Sequence, residues 1–131
     1  MIRVICSVAM DYSLIPDRSL LEQLPKGQTL VFGAKMAKAL GGPIRGQNCI
    51  VLDAMGVRGW GRTDTIPDDC VVCGGGNVIE QGLGVATEVL LIVQPVSTSG
   101  RPEIDLIDFL EVGRVAMDDG VTCVTYTRML T

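Results

Sequence analysis

Cys70-Val71-Val72-Cys73-Gly74-Gly75-Gly76-Asn77-Val78-Ile79-Glu80-Gln81 runs from a short apolar strand through three glycines into the opening of a helix. Lacking Cβ atoms, glycines let backbone approach a ligand closely and take conformations that other residues resist. The free N–H groups of the following helix, with its dipole, favour an anion such as a pyrophosphate. The segment is therefore a candidate dinucleotide phosphate site, although the same residues also make a plain strand-to-helix turn with no ligand. The usual dinucleotide fingerprint asks for a third glycine where Ile79 stands. A different nucleotide-binding fold is indicated.

Outward from that turn, the chain alternates strands with short helices. Residues 1–9 (MIRVICSVA) read as a buried strand rich in β-branched side chains. Residues 11–15 form a brief connection. Pro16-Asp17 then opens a short helix with Leu20, Leu21 and Leu24 on one face, ended by Pro25 and Gly27. Residues 28–32 are a strand, and Gly33 turns into a helix over 34–40 that Gly41-Gly42-Pro43 stops. Residues 48–52 form another strand, residues 53–69 a Gly-rich polar loop with at most a short extended piece. Beyond the glycine triplet the pattern predicts a helix over 77–83, a strand over 88–94, and a short strand or turn over 104–109. Alternating segments at 111–117 and 121–129 flank Asp118-Asp119-Gly120, which signals a hairpin. The whole predicts an α/β fold with a mostly parallel central sheet, flanking short helices and a C-terminal antiparallel hairpin.

The chain has 131 residues, 47% hydrophobic and 20% charged, which is the composition of one globular domain. Such a length buries roughly two-thirds of the unfolded surface. The apolar run at 89–93 is too short to span a bilayer, and residues 2–9 read as a strand rather than a leader. No membrane partner and a cytoplasmic location are the expectations. A net charge of −4 argues against a general nucleic-acid binder, which needs to neutralise phosphates, but not against one anionic cofactor. Histidine is absent, so histidine triads, histidine bases and histidine-ligated metals are excluded together. The five cysteines are an odd number, as expected of reduced thiols. Cys70 and Cys73 have a redox or zinc spacing, but on a strand residues three apart face opposite sides, and no second pair stands at zinc spacing. No metal is expected.

In order and spacing these motifs resemble the dihydrofolate reductase family. MIRVICSVAMD is similar to that family's first strand and the start of its active-site loop. LVFGAKMAKALGGPIRGQNCIVL resembles its next strand, glycine turn, helix, Gly-x-Pro-x-x-Gly turn and strand, and CVVCGGGNVIEQGLGVATEVLLIVQ its glycine-rich cofactor turn, helix and strand. The resemblance covers about half of the chain. It implies NADPH as cofactor, a pterin as substrate, and reduction of dihydrofolate to tetrahydrofolate by hydride transfer. Asp17 falls on the position of the catalytic carboxylate, which bonds the pterin ring and supports protonation of a ring nitrogen. A carboxylate among apolar neighbours suits that role, since desolvation raises its pKa; as a plain helix cap, Asp is equally at home there. Ile5, Leu21, Leu40 and Ile92 fall where the family lines its folate pocket, and ordinary core packing also accounts for them. Ser7 and Cys73 match positions near the nicotinamide. Gly74 and Gly75 match a paired-glycine turn, and Gly75, Gly76, Asn77 and Val78 the pyrophosphate turn. Gly33, Lys35 and Met36 match a second phosphate-facing turn.

The departures from the family pattern are equally specific. The active-site loop is almost wholly missing, because Ile15 runs directly into Pro16-Asp17, so slow turnover is expected. Gln47 stands where the family has the arginine that pairs with the folate carboxylate; Arg45, two residues away, is the substitute. Ala34 and Asn77 occupy positions where arginine commonly reads the NADPH 2′-phosphate, leaving Lys35 with Arg58 or Arg62 to supply cations. Two other readings compete: a non-catalytic binding or structural subunit of the same fold, and a pyrimidine reductase of riboflavin synthesis. Asp17 in register with both glycine turns speaks for the folate enzyme over either. The oligomeric state is open.

Overall fold

The structure, a computed structural model, describes residues 1–15, 24, 26–53, 55–74, 77–98 and 100–129. Among these residues, eight strands are hydrogen-bonded into one sheet: β1 (Ile2–Val8), β2 (Thr29–Phe32), β3 (Asn48–Leu52), β4 (Gly61–Thr63), β5 (Cys70–Cys73), β6 (Glu88–Val93), β7 (Phe109–Ala116) and β8 (Thr122–Arg128). Their spatial order is β4-β3-β2-β5-β1-β6-β8-β7. Pairings from β4 to β6 are parallel, and β8 runs antiparallel to both β6 and β7. This is the mostly parallel sheet with an antiparallel edge that the sequence predicts. Among the described residues, no helix is long and apolar enough to cross a membrane.

Side-chain alternation divides the core into two layers, one on each sheet face. Val4, Cys6, Val8, Val72, Val89, Leu91 and Val124 line one face. Ile5, Leu30, Phe32, Val51, Val71, Cys73 and Ile92 line the other. Helix α2 (Asn77–Leu83) covers the first face through Val78 and Ile79. Helix α1 (Ala34–Leu40) covers the second through Ala37, with Trp60 meeting the Phe32 ring edge-on at 5.6 Å. Cys70 and Cys73 fall in opposite layers, as the strand period requires.

The loop at 53–69 does contain an extended piece: β4 pairs parallel with β3, Ile50 opposite Gly61. Residues 104–108 are irregular and turning, and β7 begins at Phe109, two residues before the predicted hairpin start. The helix predicted from Pro16-Asp17 lies, apart from Leu24, outside the described residues; Leu24 itself is buried in the second layer. Arg128, at the end of β8, closes the C-terminal end of α2 in a way no local pattern announces. Its Nε donates to the Ala86 carbonyl at 2.7 Å, another guanidinium nitrogen donates to the Leu83 carbonyl, and the group lies 4.6 Å over the Phe109 ring. Cations at a helix C-terminus meet orphaned carbonyls and the negative dipole end.

Candidate active site

β2 and β5 are parallel neighbours, Phe32 beside Cys73, yet the helices that follow them pack on opposite faces of the sheet. Chains leaving adjacent strand ends in opposite directions open a crevice at the carboxyl edge, which is where open α/β sheets bind ligands. Gly33 ends β2 and Gly74 ends β5, so the two predicted phosphate turns form the two lips of this crevice. A Cβ built on Gly74 would lie 3.5 Å from the Gly33 amide nitrogen and 3.7 Å from the Met36 sulfur. One built on Gly33 would lie 3.0 Å from Val78 Cγ2. Gly74 has φ of +118°, a conformation that L side chains rarely adopt. Gly33, Met36, Gly74 and Val78 are thus brought together. The Val78 side chain is buried against the first core layer and spaces the two turns. Asn77 and Lys35 are exposed at the first turns of α2 and α1. Gly75 and Gly76 lie outside the described residues.

Of the positions matched to the substrate pocket, Ile5 and Ile92 are buried on adjacent strands in the layer that also holds Cys73, and half-buried Leu40 packs on that layer from the end of α1. Arg45 is exposed in the turn beyond α1. Asp17 and Leu21 lie outside the described residues. Ser7 is buried and joins β1 to β6: its hydroxyl donates to the Ile92 carbonyl at 3.3 Å and accepts from Gln94 Nε2 at 3.2 Å. The chain leaving β1 doubles back beside it. Leu14 bridges Val8, and the Ile15 amide donates to the Ser7 carbonyl at 3.0 Å. Asp17 follows two residues along the sequence.

This exit is secured by a polar cluster that local sequence reasoning missed. The Ser13 hydroxyl donates to Asp11 Oδ1 at 2.7 Å and meets Thr98 Oγ1 at 2.6 Å, while Thr98 donates to Asp11 Oδ2 at 2.8 Å. Asp-x-Ser is an Asx-turn signal, and Tyr12 between them sits at φ of +65°; the partner Thr98 is visible only in three dimensions. The Ser13 hydroxyl bond, joined by those from Thr98 and the Ser13 amide, holds the Asp11 carboxyl below its usual range against the opposing effect of burial. A lowered carboxyl pKa adds stability above the ordinary carboxylate value and loses it as pH falls through the folded value. Asp11→Asn should therefore melt below the parent at neutral pH, with the gap closing in acid. A gap constant across a pH series of melting curves would show that the ionised carboxylate contributes nothing.

The cations expected from sequence for the cofactor are Lys35, Arg58 and Arg62. Arg62 is engaged by the Asp64 carboxylate and donates from Nε to the Asp53 carbonyl at 2.9 Å, which leaves Lys35 and exposed Arg58 for a phosphate. The thiols are unsuited to redox work: burial pushes Cys6 up to about 12 and raises Cys49, Cys70, Cys73 and Cys123 as well. No group of three potential metal ligands occurs among the described residues. An open cleft of about 700 Å³ beside α2 is lined by Glu80, Glu103, Asp105 and Asp108. Four carboxylates would repel a phosphate, and among the described residues only Asn77 of the predicted cofactor set borders it.

No family model matches the sequence, and no curated protein matches it. Solved structures do match. A pyrimidine reductase-like protein of Corynebacterium diphtheriae superposes with a TM-score of 0.65 at 14% identity, covering 99% of this chain and 92% of that one. A riboflavin biosynthesis reductase of Saccharomyces cerevisiae, described for its reduction mechanism, superposes with a TM-score of 0.56 at 10% identity, covering 98% and 89%. Identities this low speak for fold and not for substrate, so the sequence resemblance to the folate enzyme narrows to the architecture it shares with these reductases. The chain has the dihydrofolate-reductase-like α/β fold.

Proposed function

We propose that this chain is an NADPH-dependent reductase acting on a small molecule with a pyrimidine-type ring. The carrying observation is the meeting of Gly33 and Gly74 at the carboxyl edge of neighbouring strands whose helices diverge. Gly74, at φ of +118°, holds a backbone conformation that side chains rarely adopt, and the turn it makes allows the close backbone approach a pyrophosphate needs. The residues present therefore suit NADPH, which when bound supplies the hydride. Gly33, Gly74 and Asn77 would carry the phosphates with Lys35 as cation, joined by Gly75 and Gly76 from the sequence resemblance. Ile5, Ile92 and Cys73 form the apolar floor that excludes water. Ser7, already bonded to β6, holds β1 and β6 in register beneath the ring.

Asp17 is the proposed proton-handling group, with Leu21, Leu40 and Arg45 completing the substrate side. A carboxylate grips an amino-pyrimidine edge through paired hydrogen bonds, and that edge is common to a free aminopyrimidine and to the pterin of dihydrofolate. The likeness to a pyrimidine reductase-like protein favours a pyrimidine. Dihydrofolate remains the second reading, on the motif position of Asp17.

The test follows nicotinamide absorbance with NADPH and either dihydrofolate or a ribityl-phosphate aminopyrimidine. Loss of signal that needs the protein and one of the two compounds identifies the substrate, and Asp17→Asn should then lower kcat by at least about a hundredfold. Should neither compound be reduced, and NADPH neither raise the melting temperature nor change the fluorescence of the single tryptophan, the reductase reading fails. The non-catalytic subunit would replace it.

A further inference from the structure

Strand β7 is the last of the sheet among the described residues, and seven of its eight residues are exposed. Leu110, Val112 and Val115 are 57%, 58% and 59% exposed, an unusual apolar load for a free edge. Its backbone is set for pairing. The Met129 amide bonds the Asp108 carbonyl at one end, and the Met117 amide bonds the Val121 carbonyl at the other. Ladder alternation counted from both ends turns the backbone groups of Glu111 and Arg114 outward, away from β8. Between them the register shifts by one residue, Glu111 facing Tyr126 and Gly113 facing Thr125. In a regular strand residues three apart point to opposite faces; here the bulge puts Glu111 and Arg114 on one face, 2.8 Å apart as an ion pair.

We propose that β7 is a homodimer interface, pairing antiparallel with β7 of a second copy about a two-fold axis between Val112 and Gly113. In that register Glu111 stands opposite the partner's Arg114, and Leu110 opposite the partner's Val115. Faces agree across the join: the acid and base lie on the Tyr126 side, while Leu110 and Val115, paired in the chain with Thr127 and Cys123, lie on the other. Outward backbone groups also meet outward ones, since both Glu111 and Arg114 present theirs. Without the bulge this odd offset would set each side chain against the wrong face. Charges on an edge usually repel other strands, but one acid and one base placed symmetrically about a two-fold axis complement only a copy of themselves. The bulge thus selects the partner.

Light scattering across a concentration series, combined with charge exchange, tests this. The parent chain should dimerise. E111R sets arginines against arginines at two symmetric places and should raise the dimer dissociation constant by about tenfold or more. The exchange E111R/R114E restores opposite charges and should recover dimerisation. Ala116→Pro removes an outward N–H that β8 does not use and should also yield monomer, with the charges intact. All three positions are exposed, so circular dichroism should show unchanged folding. A parent chain that is monomeric throughout, a dimer indifferent to E111R, or a double exchange that stays monomeric would each overturn the proposal. The crevice at β2 and β5 is several strands away, so NADPH binding should be the same in every variant.

Discussion

Gly74→Ala is expected to weaken NADPH binding by about tenfold or more while leaving the protein folded. The contacts a Cβ would make, 3.5 Å to the Gly33 amide nitrogen and 3.7 Å to the Met36 sulfur, are ordinary van der Waals distances. Crowding therefore does not decide the outcome. Conformation does: φ of +118° is strained for any L side chain, at a cost of roughly 1–3 kcal/mol. A domain with about 5–15 kcal/mol of stability survives that, with Tm lowered by roughly 3–10 °C. The turn can relieve the strain only by rotating its peptides, and those peptides are the ones proposed to face the pyrophosphate. Gly42→Ala is the control, since Gly42 has no positive φ and nothing within 4 Å of a built Cβ. NADPH titration of both variants checks the claim, and equal affinity in Gly74→Ala and the parent would remove the glycine lip from the site.

The parts of this fold legible in sequence are those whose signals are local. Helix α1 spans Ala34–Leu40 as predicted because Gly33 leads it in extended backbone and Gly41, at φ of +78°, returns its amide to the Ala37 and Lys38 carbonyls. β3 and α2 match their predicted spans for the same reason: apolar period between clear breakers. β4 was readable only as a loop with a short extended piece, because three residues, Gly61, Arg62 and Thr63, carry no period and are held by pairing to β3. The bulge in β7 is equally tertiary in origin, and so is the strand start at Phe109, which pairs with Arg128.

The site divides in the same way. Both glycine turns announced themselves, but that they abut follows from β5 inserting between β1 and β2 after the chain has already built β3 and β4. No spacing rule reveals such a crossover. Likewise Asp11 and Ser13 are neighbours in sequence, whereas Thr98 reaches them from 85 residues beyond Ser13. Arg62, counted from sequence as a cation for the cofactor, is held instead by Asp64 and the Asp53 carbonyl. Charge tallies cannot see partners.

Gly82→Leu should prevent stable folding, and Gly82→Ala should separate two opposing effects. In an exposed helix, alanine in place of glycine gains about 1 kcal/mol of intrinsic propensity. Here α2 lies directly on the sheet, and a Cβ on Gly82 would stand 2.9 Å from Val4 Cγ2 and 3.0 Å from Val72 Cγ1. Both valines are wholly buried on parallel strands, and β-branched side chains have little rotamer freedom with which to give way. Overpacking of this kind costs roughly 1–3 kcal/mol, so crowding outweighs propensity and alanine is net destabilising. Val72→Ala clears part of the space, so the double variant Gly82→Ala/Val72→Ala should lose less than the sum of the single losses. Such coupling, measured by denaturant unfolding, is the signature of contact rather than of helix propensity; a stabilised Gly82→Ala would refute the close approach of α2 to β1 and β5. The consequence reaches the site. Any shift that lifts α2 also draws Val78 from Gly33, against which its methyl would meet a Cβ at 3.0 Å, and the two lips of the crevice separate. NADPH affinity in Gly82→Ala should therefore fall alongside stability and return in the double variant, tying the glycine beneath the helix to the glycines at its mouth.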